Sequence, residues 1–130
     1  MIGIDTNILL RIFEMEDDPA QSLRARKAIE GNAPVYLHDI VLAEFVWTCR
    51  TAFKQPRETI CRRLQAIAES AEFVVARPEV FRRAVEADRS QKSDFADWLV
   101  GLSNLDHGLE YTLTFDKGAA RRRAFGMVDP

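Results

Sequence analysis

The chain has 130 residues, a hydrophobic fraction of 47%, a charged fraction of 29% and a formal net charge of −2 at pH 7. These values are those of an ordinary soluble protein with one core, so we expect one domain over residues 1–130. No run approaches the roughly 20 apolar residues that span a membrane, and no signal peptide is recognised at the start, which predicts a cytoplasmic protein. The charge gives no overall attraction to nucleic acid, so binding to phosphates requires local arginine clusters or bound cations.

Short apolar segments alternate with helical segments along the chain. In chain order we predict a strand that ends at residue 4, helices at 6–14 and 19–30, and a strand at 35–37. A helix at 40–53 with Asp39 as its N-cap, a helix from 56, a strand at 73–75 and a helix from 78 follow. After a loop at 90–93 come a helix at 94–107, a strand at 111–114, a turn at 117–118 and a last strand at 125–128. This alternation predicts an α/β fold with a central parallel sheet and helices on both faces.

Two aspartates follow predicted strands. Asp5 comes directly after the first strand, and Asp116 comes after the strand at 111–114. Parallel strands bring such ends to the same edge of the sheet, where ligands bind in open α/β folds. The structural alternatives are a helix N-cap for Asp5 and a turn aspartate for Asp116.

Two further acidic residues lie on predicted helices. Glu44 falls among hydrophobic residues, where an unpaired charge is costly, and it could instead pair with Arg11 or Arg50. Asp97 lies in the first turn of its helix, three residues after Asp94, and this spacing is also typical of a capping arrangement.

Together these four carboxylates suggest one site. Two unit charges about 4 Å apart repel by about 4 kcal/mol at an effective dielectric constant of about 20, so the cluster requires cations or protons. Oxygen ligands without paired histidines or thiolates fit hard cations, Mg²⁺ or Mn²⁺. Such cations favour phosphate substrates, and a pair about 3.5–4 Å apart can activate water and stabilise the leaving oxygen.

Four segments resemble, in the same order, the motifs of PIN-domain ribonucleases, in particular the VapC-type toxins of bacterial toxin–antitoxin pairs. They are IDTNILLR at 4–11, LAE at 42–44, DFADWL at 94–99 and LTFDK at 113–117. The resemblance spans nearly the whole chain, and the four segments together are highly specific, whereas any one alone is not. The chain departs from the family pattern at Trp98 and Gly101, where smaller or alanine-like residues are common, and this concerns helix packing more than chemistry.

The resemblance implies a PIN-like α/β domain that cleaves RNA endonucleolytically with water activated by Mg²⁺ or Mn²⁺. It implies that the catalytic, metal-binding quartet is Asp5, Glu44, Asp97 and Asp116. Residues that orient carboxylates or water, or act as an auxiliary acid, would be Thr6, Asn7, Thr114 and Asp94. It also implies a cognate antitoxin protein and a homodimer as partners, and no membrane.

Other clusters have two interpretations each. Arg121, Arg122 and Arg123 follow Asp116 closely and are either an RNA-backbone contact or a solvated charge run. The pairs 62–63 and 82–83 are predicted to be solvated arginines on helix faces.

A large set of apolar residues is either all core or partly an interface for a second copy or a partner's helix. This set comprises Phe45, Trp47, Phe53, Ile60, Leu64 and Ile67. The two cysteines, Cys49 and Cys61, lack a metal-binding spacing and are predicted to be reduced structural thiols.

Three rival functions remain open. A phospho-accepting receiver domain requires an acidic pair after the first strand, and the chain has one acid there, Asp5. A haloacid-dehalogenase-type phosphatase requires Asp-x-Asp, and here Asn7 takes the third place. The third rival is a PIN-like module that binds RNA or protein without cleaving.

Overall fold

Seven helices and four strands occupy the described residues of the computed structural model, which are 1–91, 94–120 and 124–128. They form two compact units, Met1–Pro78 and Glu79–Pro130, and each unit is described by itself. None of the helices in the described ranges is both long and apolar enough to cross a membrane.

The first unit contains four helices and two strands. They are α1 (Thr6–Phe13), α2 (Pro19–Asn32), β1 (Val35–Leu37), α3 (Asp39–Thr51), α4 (Arg57–Glu69) and β2 (Phe73–Val75). β1 and β2 pair in parallel, with Val35 opposite Phe73.

The chain before α1 adds to the other edge of β1. Gly3 forms a parallel bridge with Tyr36, whose N–H donates to the Ile2 carbonyl at 2.8 Å and whose carbonyl accepts from the Ile4 N–H at 3.2 Å. Because the Val35 N–H donates toward the other side, to the Glu72 carbonyl, β1 lies between the two segments. The predicted first strand is therefore present as a single bridge that places Asp5 at its carboxyl end.

A hydrophobic cluster holds α1 and α2 against this sheet. Its buried members are Ile12, Ala25, Ile29 and Val35, with Ile4, Ile8, Phe13 and Phe73 packed against them. Not every apolar residue of α2 is buried, since Leu23 is 57% exposed and Ala28 is also exposed. The helix turns Ala25 and Ile29 inward, and these two side chains suffice to anchor it.

Two predictions about the third and fourth helices are wrong. The N-cap of α3 is His38, whose Nδ1 accepts a hydrogen bond from the Ile40 N–H at 3.0 Å, and Asp39 is the first residue of the helix. Arg63 is not solvated, because its guanidinium contacts Glu14 at 2.6 Å and both side chains are 13% exposed. Its neighbour Arg62 lies on the solvated face as predicted.

The second unit contains the remaining elements. They are α5 (Pro78–Gln91), α6 (Phe95–Asp106), β3 (Thr112–Thr114), α7 (Lys117–Ala120) and β4 (Phe125–Met127). β3 and β4 pair in parallel, with Thr112 opposite Phe125. The predicted loop at 90–93 starts later, since α5 continues through Gln91, and residues 92–93 lie outside the described part of the chain.

Aromatic contacts organise this second unit. The rings of Phe81 on α5 and Phe95 on α6 meet edge to face with centroids 6.0 Å apart. A Cβ atom added at Gly101 would lie 2.6 Å from Cε2 of Phe125, so a glycine allows the aromatic ring to approach α6. The departure from the family pattern at Gly101 is therefore explained by packing, because a larger residue would collide with the Phe125 ring. The short parallel strands and surrounding helices confirm the α/β class.

Candidate functional site

Asp5 lies at the start of α1 and caps it. Its Oδ1 accepts a hydrogen bond from the Ile8 N–H at 3.0 Å, and its side chain is exposed. An ionised carboxylate has two oxygens and about four acceptor positions, so one cap bond leaves capacity for a cation. From the sequence, Asp5 is either a helix N-cap or part of the site, and the geometry of its carboxylate is compatible with both roles at once.

Glu44 is held by a residue of the first motif. The Thr6 hydroxyl on α1 donates to Oε1 of Glu44 on α3 at 3.3 Å, so the structure brings these two predicted site residues together. Glu44 is exposed while the adjacent Phe45 is buried, so its charge does not carry the cost of burial considered for it in the sequence. Arg11, one of the two arginines considered as an alternative partner for Glu44, bonds instead to Asp17 at 2.8 Å.

Asp94 is the N-cap of α6, and Asp97 lies in the first turn of this helix. Oδ1 of Asp94 accepts from the Ala96 N–H at 2.8 Å, and the Asp94 carbonyl accepts from the Trp98 N–H at 3.1 Å. Asp97 follows at the third helical position and is half-buried. The capping position expected for Asp94 is confirmed, and a carboxylate at either position is favoured by the helix dipole.

Asp116 lies between two hydrogen bonds that fix the chain after β3. Its backbone N–H donates to the Thr114 hydroxyl at 3.0 Å, and its Oδ1 accepts from the Gly118 N–H at 2.8 Å. The predicted turn at Lys117–Gly118 is the first turn of the short helix α7. Thr114 therefore orients the backbone of Asp116, and Asp116 starts a helix as Asp5 does.

The donor set matches a hard cation in its chemistry. Asp5, Glu44, Asp94 and Asp116 each use one carboxylate oxygen in these hydrogen bonds, and carboxylate oxygens are the ligands that Mg²⁺ and Mn²⁺ prefer. Within the described residues, no group of three or more His, Cys, Asp or Glu side chains is arranged to hold a metal ion. The four-carboxylate site therefore stays a prediction.

The other predicted site residues take different places. Asn7 is exposed in the first turn of α1. The arginines at 121–123 lie outside the described residues. Cys49 and Cys61 are buried and form no disulfide, as expected of reduced structural cysteines. Burial raises the pKa of the Cys49 thiol above its ordinary value of 9.0, although the hydrogen bond from Arg63 opposes this shift.

Two aromatic side chains beside the acidic residues are more exposed than their type predicts. Trp47, three residues after Glu44, is 60% exposed, and Phe115, directly before Asp116, is 80% exposed. The sequence interpretation treated Trp47 as core or interface and did not single out Phe115. The sequence signal that could have identified Phe115 is its position between Thr114 and Asp116, inside the LTFDK motif at 113–117.

Comparison with known proteins supplies the family. The PIN domain family model matches residues 2–125, a region that includes Asp5, Glu44, Asp97 and Asp116. No curated protein and no solved structure matches the chain significantly. Because the family model covers nearly the whole chain, the chain belongs to the PIN-domain family, whose members are commonly metal-dependent nucleases.

Proposed function

We propose that this protein is an endoribonuclease that depends on Mg²⁺ or Mn²⁺ and acts as the toxin of a bacterial toxin–antitoxin pair. The observation that carries the proposal is the family match over residues 2–125, which contains the four acidic motifs in the expected order. The carboxylates of Asp5, Glu44, Asp97 and Asp116 would hold the cation. When bound, the cation activates water and stabilises charge on the phosphodiester that is hydrolysed.

The hydrogen bonds around the carboxylates support this assignment. The Thr6 hydroxyl restrains Glu44, and the Thr114 hydroxyl restrains the backbone of Asp116. Restraint of this kind lowers the entropy that the carboxylates lose when they bind a cation and a substrate. Thr6 and Thr114 are therefore positioning residues in the proposal.

The partners follow from the toxin assignment. We propose a cognate antitoxin that blocks the acidic site or its metal, a homodimer of the chain, and a cytoplasmic location. These proposals rest on the resemblance of the four motifs to VapC-type toxins.

Cleavage of RNA by the purified protein tests the activity. Mg²⁺ or Mn²⁺ should be required, chelation should stop the reaction, and Asp5→Asn or Asp97→Asn should abolish it. Asp18→Asn is the matched control, because Asp18 caps α2 through Oδ1 and the Gln21 N–H at 3.1 Å but belongs to none of the motifs. Undiminished cleavage by both Asp5→Asn and Asp97→Asn would sink the site assignment.

A second candidate is a PIN-like module that binds RNA or protein without cleaving. The finding in its favour is that no three potential metal ligands are grouped within the described residues. RNA binding without cleavage in either cation would identify this module. The receiver-type alternative gains no support from the family match.

A further inference from the structure

His38 caps the start of α3 with the lone pair of a ring nitrogen. Its Nδ1 accepts a hydrogen bond from the Ile40 N–H at 3.0 Å, and its carbonyl accepts from the Leu42 N–H at 3.1 Å. The Ile40 N–H belongs to the first turn, where backbone donors have no acceptor within the helix. The imidazole ring therefore supplies an acceptor that the helix itself cannot supply.

The other side-chain caps seen in the described parts of the chain are carboxylates. Asp5, Asp18 and Asp94 cap α1, α2 and α6 through an oxygen atom. A carboxyl group keeps acceptor capacity even when it is protonated, whereas a proton on Nδ1 of histidine turns the acceptor into a donor. Because histidine changes charge between pH 5 and 8, the α3 cap is the one of these four that mild acidification removes.

Charged groups of both signs lie around the His38 ring. Asp5 follows the segment that bridges β1 on one side, and Arg77 lies just beyond the end of β2 on the other side. Asp39 is the next residue on α3. The two carboxylates favour a charged ring, whereas Arg77 and the helix dipole favour a neutral ring. The hydrogen bond from Ile40 adds to the preference for the neutral form, since only that form can accept it.

Charges on the helices that pack along α3 are engaged elsewhere. Arg63 of α4 contacts α3 at Cys49, about three turns beyond the cap, and is paired with Glu14. Arg11, the cation of α1, is paired with Asp17. The protonation of the ring is therefore governed locally, at the carboxyl end of β1.

We propose that His38 is a pH-sensitive cap: the neutral ring holds the first turn of α3, and a proton on the ring releases that turn. The unfolded chain binds this proton freely, whereas the folded chain gives up the Ile40 bond to bind it. Stabilisation of the start of α3 is thus fully present above the pH range in which histidine titrates and is lost as the pH falls through it. The inference goes beyond the proposed nuclease function, because it concerns the start of α3 whatever the acidic residues bind.

The second of the two histidines in the chain provides an internal contrast. His107 is the C-cap of α6, and its Nδ1 lies 2.8 Å from the Ser103 carbonyl oxygen. Toward a carbonyl the ring nitrogen is the donor, and a protonated ring makes this contact equally well. A positive charge at the carboxyl end of a helix is also favourable. Acidification should therefore preserve this contact while it removes the cap at His38.

Hydrogen exchange of single amides, followed by NMR and expressed as protection relative to an unfolded peptide at the same pH, tests the cap. In the wild type, protection of the Ile40 amide should fall roughly 2- to 30-fold between about pH 7.5 and pH 5, as expected for the loss of an N-cap. His38→Asn keeps a capping side chain that does not titrate and should show no such fall. His38→Ala should show low protection at both pH values, and His107→Asn, the matched control, should respond as the wild type does.

The nitrogen signals of the imidazole ring give a second readout. In nitrogen-15-labelled protein, Nδ1 of His38 should be unprotonated at pH 7.5 and protonated at pH 5, in step with the loss of protection at Ile40. Equal Ile40 protection at both pH values in the wild type, or an equal fall in His38→Asn, would overturn the proposal, as would a proton on Nδ1 at pH 7.5. Failure of metal-dependent RNA cleavage would leave all of these outcomes unchanged, so the two proposals are tested separately.

Discussion

The Asp5 carboxylate accepts the Ile8 N–H at 3.0 Å, and this bond satisfies one of the unpaired donors at the start of α1. Asparagine also caps helices well, whereas alanine does not. Asp5→Asn therefore removes the charge and keeps the cap, and Asp5→Ala removes both. We expect Asp5→Ala to lower the free energy of unfolding by about 1 kcal/mol and Asp5→Asn to change it by a few tenths, both measured by urea denaturation without metal.

This pair of variants makes the loss of activity interpretable. If Asp5→Asn abolishes RNA cleavage and unfolds at the urea concentration of the wild type, the charge and not the fold is required. Equal stability of Asp5→Ala and wild type would contradict the capping role that the structure assigns to Asp5.

The Cys49 thiol is fully buried, and burial raises its pKa above the ordinary value of 9.0. The folded protein therefore holds this proton more tightly than the unfolded chain does. The stability that this contributes is fully present below about pH 9 and is lost as the pH rises through the folded pKa. We expect the free energy of unfolding of the wild type to fall more steeply above pH 9 than that of Cys49→Ala.

The measurement is urea denaturation of both proteins at intervals from pH 7 to pH 10.5, each curve referred to its own value at pH 7. This reference removes the constant cost of the cavity that Cys49→Ala leaves. Parallel curves would show that the thiol does not titrate differently in the folded and unfolded states.

At the scale of elements, α4 is tied to α1 and α3 by one partly buried cation. Arg63 contacts Glu14 at 2.6 Å, donates to Sγ of Cys49 at 3.4 Å and lies 5.7 Å from the centre of the Phe13 ring. Gln55 donates to the same Oε1 of Glu14 at 3.2 Å. Removing one partner of a buried ion pair leaves the other charge without compensation.

Because the pair is partly rather than fully buried, Arg63→Met should lower the free energy of unfolding by about 2 kcal/mol, less than the loss for a fully buried pair. The neighbouring Arg62→Met is the matched control, since Arg62 and Glu58 form an exposed pair with side chains 67% and 84% exposed. Exposed pairs contribute about 0–1 kcal/mol, so the control should unfold almost as the wild type does in thermal and urea denaturation. Similar losses in both variants would mean that the hydrogen bonds and ion pair of Arg63 add no more stability than an exposed pair does.

For the whole molecule, sequence patterns locate elements better than they locate side chains. The strands at 35–37 and 73–75 are predicted residue for residue, because both are short runs of β-prone apolar residues between helical segments. Arg63 could not be distinguished from Arg62, since the difference depends on Glu14, which is distant in sequence. The need for glycine at position 101 could not be predicted either, because it depends on the ring of Phe125, which lies on another element.

In the candidate site, too, the sequence predicts which residues matter better than it predicts their contacts. Motif order singles out Asp5, Glu44, Asp97 and Asp116 as the predicted site, and the family match over residues 2–125 confirms the PIN-domain family. The exposure of Glu44 and the bond from Thr6 depend on how α1 packs against α3, which no local pattern encodes. Local signals give residue types and caps, and tertiary packing decides which side chains face solvent.

At the scale of the whole molecule, the four predicted carboxylate ligands imply that a bound cation stabilises the folded state. A cation that binds the folded state alone stabilises it by about 2.7 kcal/mol at a hundredfold excess over its Kd. For a chain of this length that corresponds to a rise in Tm on the order of 10 °C, measurable by calorimetry with millimolar Mg²⁺ or Mn²⁺. Asp5→Asn and Asp97→Asn should each abolish most of the rise, because each removes a charged ligand of a shared site, whereas Asp18→Asn should retain it. A rise of the same size in all three variants would place the bound cation elsewhere, and the absence of any rise in the wild type would argue against a clustered acidic site.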